Sequence, residues 1–247
     1  MMNGIIRVTN SPVKLIDTLR SETAKEALRH SNALYPWSTG SLETLAEKVA
    51  AAEALVATPE YQVLVGTLEA AFAPASISDI KRELGLLFAC YPAKDVDIGV
   101  LVACAVEEVT SDRPSKLELE LSCRRLRRTC KFRPSVAEIV EAPDDVEPAM
   151  SRARQITELP KRLDVAASAL RDIVGNAIEH VERLLSDRER HRQNRWRVES
   201  IDEQLNKTRR MLENVSAHRP KALEPQRPLI TQSISVTKNE EAAGKPC

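Results

Sequence analysis

The apolar residues of this chain recur three and four positions apart in segment after segment, and proline or serine stands where most recurrences stop. That period puts a single side of each segment into a core only if the segment is an α-helix. Val13, Ile16 and Leu19 mark the first run, over 11–30. Leu42, Leu45, Val49, Ala52 and Val56 mark the second, which Ser41 caps and Pro59 ends. Tyr61, Leu64, Val65 and Leu68 mark the third, stopped by Pro74.

A second group of runs follows. Ser76 or Ser78 caps a helix that carries Leu84, Leu87 and Phe88 to Cys90, where Tyr91-Pro92 ends it. Asp95 or Asp97 opens the next, with Ile98, Leu101, Val102, Ala105, Val106 and Val109 inside and Pro114-Ser115 after it. Leu119, Cys123, Leu126 and Cys130 then share one face. Ser135 caps a short helix over 136–142, with Glu138 in its first turn, where an acid suits the helix dipole.

The acidic, proline-bounded stretch at 143–155 reads as a linker. Beyond it Leu163, Ala166, Leu170, Ile173, Ala177, Val181 and Leu184, and later Val198, Ile201, Leu205, Leu212 and Val215, repeat at helical spacing. Arg188, His191 and Arg195 interrupt them. Residues 156–215 are therefore one long helix with a polar middle, or a helical hairpin bending near Asp187–Asn194, and a coiled-coil candidate. Residues 216–247 are polar, proline-dotted and aperiodic, which predicts a disordered tail. The expected fold is all-α: a helical region at 1–75, a helical domain at 76–142, the linker, the long helix or hairpin, and the tail.

Only seven glycines and 3% aromatics are present, so the cores must be built from Leu, Val, Ile and Ala. The net charge is zero but unevenly spread: residues 1–113 hold 10 basic and 15 acidic groups, and 151–247 hold 19 and 14. Such asymmetry permits contact with nucleic acid or an acidic protein. The five cysteines are odd in number and lack C-x-x-C spacing, which predicts reduced, buried thiols as core filler. None of the four histidines has ligand spacing to a cysteine, so neither a metal nor a cofactor is expected. The absence of a signal-like N-terminus and of any apolar run near about 18 residues points to the cytoplasm and away from membranes. Neither G-x-x-x-x-G-K-S/T nor G-x-S-x-G occurs, and the chain reads as non-enzymatic, with no catalytic residue.

The strongest local signal lies at 121–135, which holds six positive charges and no acid. With Leu119, Cys123, Leu126 and Cys130 turned inward, Arg124, Arg125 and Arg128 point outward, Arg127 and Lys131 flank them, and Arg133 follows. Arginines about 5–6 Å apart can neutralise successive phosphates or pair with carboxylates on a protein. A solvated helix face is the plain alternative. A second basic stretch, Arg188–Arg197, contains Trp196 and suits nucleic-acid contact, but its alternating charges also suit an exposed coiled-coil surface. Tyr35 and Trp37, around Pro36, are either a partner-docking point or a turn tucked on the core.

Over 79–142, Leu84–Phe88 followed by Tyr91-Pro92, a helical segment, and a Leu/Arg helix running into Lys131-Phe132-x-Pro134-Ser135-x-Ala137-Glu138-Ile139 resembles the small helical domain of phage replicative-helicase loader/inhibitor proteins. Uncharacterised phage and prophage proteins share the same ending. The resemblance implies a DNA replication accessory protein that binds the hexameric helicase and delivers or withholds it at an origin, while DNA as a further ligand rests on the arginine row. Physically the run is a turn in which Phe132 plugs a helix junction, Pro134 stops one helix and Ser135 caps the next. Because the match lies at core and cap positions, it carries over no helicase-contact residue. The helices before residue 76 and the candidate coiled coil at 156–215, through which the chain could self-associate, have no counterpart in the small family members.

Overall fold

The structure, a computed structural model, describes residues 13–34, 41–91 and 98–235, and it is all-α. Among the described residues the one β feature is an isolated antiparallel bridge between Pro74 and Ser115. No helix among them is long and apolar enough to cross a membrane. Two compact units form: Met1–Leu28 with Pro59–Thr157, and Arg29–Thr58 with Glu158–Cys247.

The first unit holds α1 (Val13–Arg20), α4 (Pro59–Phe72), α5 (Ile77–Ala89), α6 (Ile98–Asp112), α7 (Lys116–Thr129), α8 (Val136–Glu141), a 3-10 helix (Ala142–Val146) and α9 (Glu147–Thr157). Serines 76, 115 and 135 each close a capping box, with Asp79, Glu118 and Glu138 respectively. Each box satisfies two donors at a helix start that otherwise have no partner. The hydrogen bonds Ala75 N–H to Pro114 O (2.9 Å) and Lys116 N–H to Ala73 O (3.1 Å) tie the starts of α5 and α7 together. Their inner faces meet α6 and α8 in a core that includes Leu84, Phe88, Val106, Cys123 and Ile139. Burying each large aliphatic or aromatic side chain there contributes about 1.5–3 kcal/mol. On α4, Tyr61 is buried and donates its hydroxyl to Ile156 O at 2.8 Å, and burial pushes the phenol up to about 12.

The boundary between the units cuts α2 (Glu22–Ala33). The second unit holds α3 (Leu42–Val56), α10 (Leu159–Arg190), α11 (Arg195–Ala217), a 3-10 helix (Lys221–Gln226) and α12 (Arg227–Ser235). Residues 156–215 thus contain a hairpin, bending at His191–Asn194. The seam on α10 runs through Leu163, Ala166, Ala167, Leu170, Val174, Ala177, Ile178, Val181 and Leu184 and packs on α3 and α11. Ile173, expected in that seam, is 40% exposed, and Val174 takes the inward place. An unsupercoiled helix repeats every 3.6 residues, so a strict seven-residue stripe drifts off the core.

Three further expectations are corrected. The stretch at 143–155 is not a linker but a 3-10 helix followed by α9, with Val146, Met150 and Ala153 buried. Pro143 and Pro148 sit in first turns, where a missing N–H costs nothing, and so they start helices instead of breaking them. Of the disordered tail expected over 216–247, residues 216–235 instead hold the end of α11, a 3-10 helix and α12 and bury Ala222, Leu223 and Ile230, while 236–247 lie outside the described residues. Glu53 of α3 explains the first turn: its carboxylate accepts from Lys221 N–H (2.6 Å) and Ala222 N–H (2.9 Å). Lastly, Cys90 and Cys104 are exposed, not core filler. Cys90 falls at the cap beyond the apolar face of α5, and Cys104 lies opposite the Val102–Val106–Val109 stripe of α6. Cys123 is buried as expected, and burial pushes its thiol up to about 12.

Candidate functional site

The face of α7 opposite its core carries Leu121, Arg124, Arg125, Arg128 and Thr129, spaced three, one, three and one residues apart along one helical stripe. Its inward stripe, Leu119, Ser122, Cys123 and Leu126, is buried. The outward stripe forms one wall of a cleft of about 420 Å³ within the first unit. Arg20 at the end of α1 and Arg152 of α9 join Arg124, Arg125 and Arg128 in lining it, and among the described residues Asp145 is its one carboxylate. The rest of the lining is largely apolar, with Ile16, Leu19, Leu28, Leu121 and Val146 prominent.

Arg125 is held by this aspartate: its guanidinium donates to Asp145 O at 3.1 Å and sits 3.2 Å from Asp145 Oδ1. Both side chains are about half exposed (45% and 56%), so the pair is worth roughly 0–1 kcal/mol and can be exchanged at little cost. Among the described residues, Arg20, Arg124, Arg128 and Arg152 make no ion pair. Arg128 also lies in the last turn of α7, where the helix dipole favours a cation.

Behind this wall α7 carries a buried carboxyl, Glu120, only 5% exposed. Burial pushes it up to about 7, the charge of Glu83 on α5 adds to that, and Arg124, Arg127 and Arg82 pull against it. Glu83 is itself buried, and Arg82 Nε stands 3.4 Å from its Oε1.

The expected basic row is therefore divided. Arg124, Arg125 and Arg128 enter the cleft; Arg127, Lys131 and Arg133 do not line it. Arg127 lies within electrostatic reach of Glu120, Tyr91 and Cys123. Arg20 and Arg152 were not expected, and no local pattern points to them, because only tertiary packing brings residues 20, 124 and 152 together. Phe132, expected to plug the helix junction, is 84% exposed. Tyr91 does the closing instead: it packs against the core and its hydroxyl proton is shared between Leu126 O (3.1 Å), which also accepts from Cys130 N–H, and Cys130 O (3.3 Å), at the end of α7. Tyr35 and Trp37 lie outside the described residues.

At the hairpin bend the arginines face acids of the same chain. Arg188 sits 2.7 Å from Asp202, Arg190 3.0 Å from Asp187, Arg192 3.5 Å from Glu189 and Arg195 3.0 Å from Glu199. Trp196 is 67% exposed, and its ring carries the Arg197 guanidinium at 5.5 Å. Among the described residues no three His, Cys, Asp or Glu side chains gather closely enough to hold a metal ion. Comparison of the chain with protein-family models, with curated proteins and with solved structures finds no match.

Proposed function

We propose that this chain is a non-catalytic binding protein that grips an anionic macromolecule through the arginine cleft of its first unit. One observation carries the reading: among the described residues, five guanidinium groups line a single cleft against one carboxylate. Holding like charges close together costs free energy, and an incoming anion relieves that cost. In its narrower form the protein is a phage-type replication accessory of the cytoplasm, with the replicative helicase as partner. That form rests on the Tyr91-Pro92 and Lys131–Ile139 resemblance and on the open basic face beside it.

Retention of the full chain on heparin and on immobilised polyglutamate tests the broad reading. Retention should fall steeply as salt rises and should disappear in the double variant Arg124→Glu, Arg128→Glu, with helicity unchanged by circular dichroism. A flat salt response, or full retention by that variant, would sink it. The helicase form is tested by pull-down against a phage-type hexameric helicase, where no capture at micromolar concentration would remove it.

A further inference from the structure

We infer that the occupant of the α7 cleft is an acidic amphipathic helix of a partner protein, which lays aliphatic side chains on the apolar floor and presents carboxylates to the arginines. The inference rests on the proposed anion-binding role and specifies the ligand. The floor decides between polyanions. Leu19, Leu28 and Leu121, half-buried beside the already buried Ile16 and Val146, offer surface that gains free energy only when an apolar group covers it, at roughly 25 cal/mol per Å². A nucleic-acid duplex presents phosphates to such a wall and leaves that floor wet. An amphipathic helix carries both parts at once, with apolar groups at i, i+3, i+4 and i+7 and carboxylates on the flanks of that stripe.

The cations are suitably spread for such a ligand. Guanidinium groups enter the cleft from three helices, with Arg20 on α1, Arg124, Arg125 and Arg128 on α7, and Arg152 on α9. A carboxylate is matched by the planar two-donor fork of arginine better than by a point charge. Arg125 already shows the arrangement, donating to the backbone carbonyl of Asp145 while one of its nitrogens faces the carboxylate. The volume, about 420 Å³, accommodates a few aliphatic side chains and not a whole domain.

The test uses the full chain and two synthetic four-turn peptides of equal glutamate content, one with leucines at i, i+3, i+4 and i+7 and one with serines there, alongside a DNA duplex. Fluorescence anisotropy should show the leucine peptide binding at least about tenfold tighter than the serine peptide, the effect of covering one aliphatic side chain or more. It should also bind tighter than the duplex, and Leu121→Gln should remove the preference for leucine while leaving retention on polyglutamate. Where Leu121→Gln fails to fold, Arg128→Ala with Arg152→Ala, both at exposed positions, should weaken the leucine peptide at least about tenfold. Equal affinity for the two peptides, with polyglutamate still retained, overturns the amphipathic helix and leaves anion binding standing. Tighter binding of the duplex overturns the inference in favour of nucleic acid. Binding of none of the probes removes both readings.

Discussion

The two basic stretches of this chain are alike in charge and unlike in surroundings. At the hairpin bend each of Arg188, Arg190, Arg192 and Arg195 finds an acid of the same chain within 4.0 Å, three of them one helical turn away in sequence. On α7 no acid falls within 121–135; among the described residues Asp145, brought in by the following 3-10 helix, pairs with Arg125, while Arg124 and Arg128 make no ion pair. The comparison teaches that a run of positive charge says little by itself. What decides if the charge is spent within the chain or remains open to a ligand is whether an ionised acid reaches it, from one turn away as for Arg190, Arg192 and Arg195 or through packing as for Arg188 and Arg125. Glu120, four residues before Arg124, is buried with its pKa raised and forms no such pair.

The largest expected effect tests what the open face rests on. Glu120 ionises near 4.5 when unfolded and near 7 in the fold, so between those values the folded chain holds a proton that the unfolded chain has released. Stability from this group is therefore complete below about 4.5 and is lost as pH rises to about 7. Glu120→Gln, which cannot ionise, should melt several degrees above the parent at pH 8 and show a flatter melting profile between pH 5 and 8. Parallel pH profiles for the two proteins would show that Glu120 is not buried as described. A smaller effect comes from Asp145→Asn, which removes the carboxylate facing Arg125 while leaving its bond to the residue-145 backbone carbonyl; anion affinity should rise about threefold to tenfold, with stability changed by less than about 1 kcal/mol. Unchanged affinity in titration calorimetry would mean that this aspartate does not hold Arg125 back. The smallest effect is expected at the bend, where Arg190→Glu with Arg192→Glu should leave polyanion retention within about twofold of the parent. A loss as large as that of the α7 double variant would erase the contrast between the two stretches.

Local signals made much of the fold legible. Ser41 and Ser135 cap the helices they were expected to cap, Ser76 and not Ser78 caps α5, Ser115, expected only to end the preceding run, caps α7, and the stripes on α4 to α7 face their cores. Where expectation failed, the deciding interaction came from far along the chain. Residues 221–226 have no periodicity to advertise a helix, and their first turn is satisfied by Glu53. Pro143 and Pro148 look the same as helix breakers or as first-turn residues until the packing of Val146 and Met150 is known. The cleft followed the same rule: its α7 wall was readable from spacing, while Arg20 and Arg152 depend on how α1 and α9 pack.

The bonds from the Tyr91 hydroxyl to the carbonyls of Leu126 and Cys130 have a bearing on kinetics. They pin the last turn of α7 to the segment after α5, so the end of the arginine wall is fixed before any ligand arrives. A partner meeting a preformed surface has little backbone entropy to remove, and its association is limited by encounter and charge attraction instead of by folding of the receptor. Removing that one oxygen, as in Tyr91→Phe, would loosen the wall and make capture slower without altering a single charge.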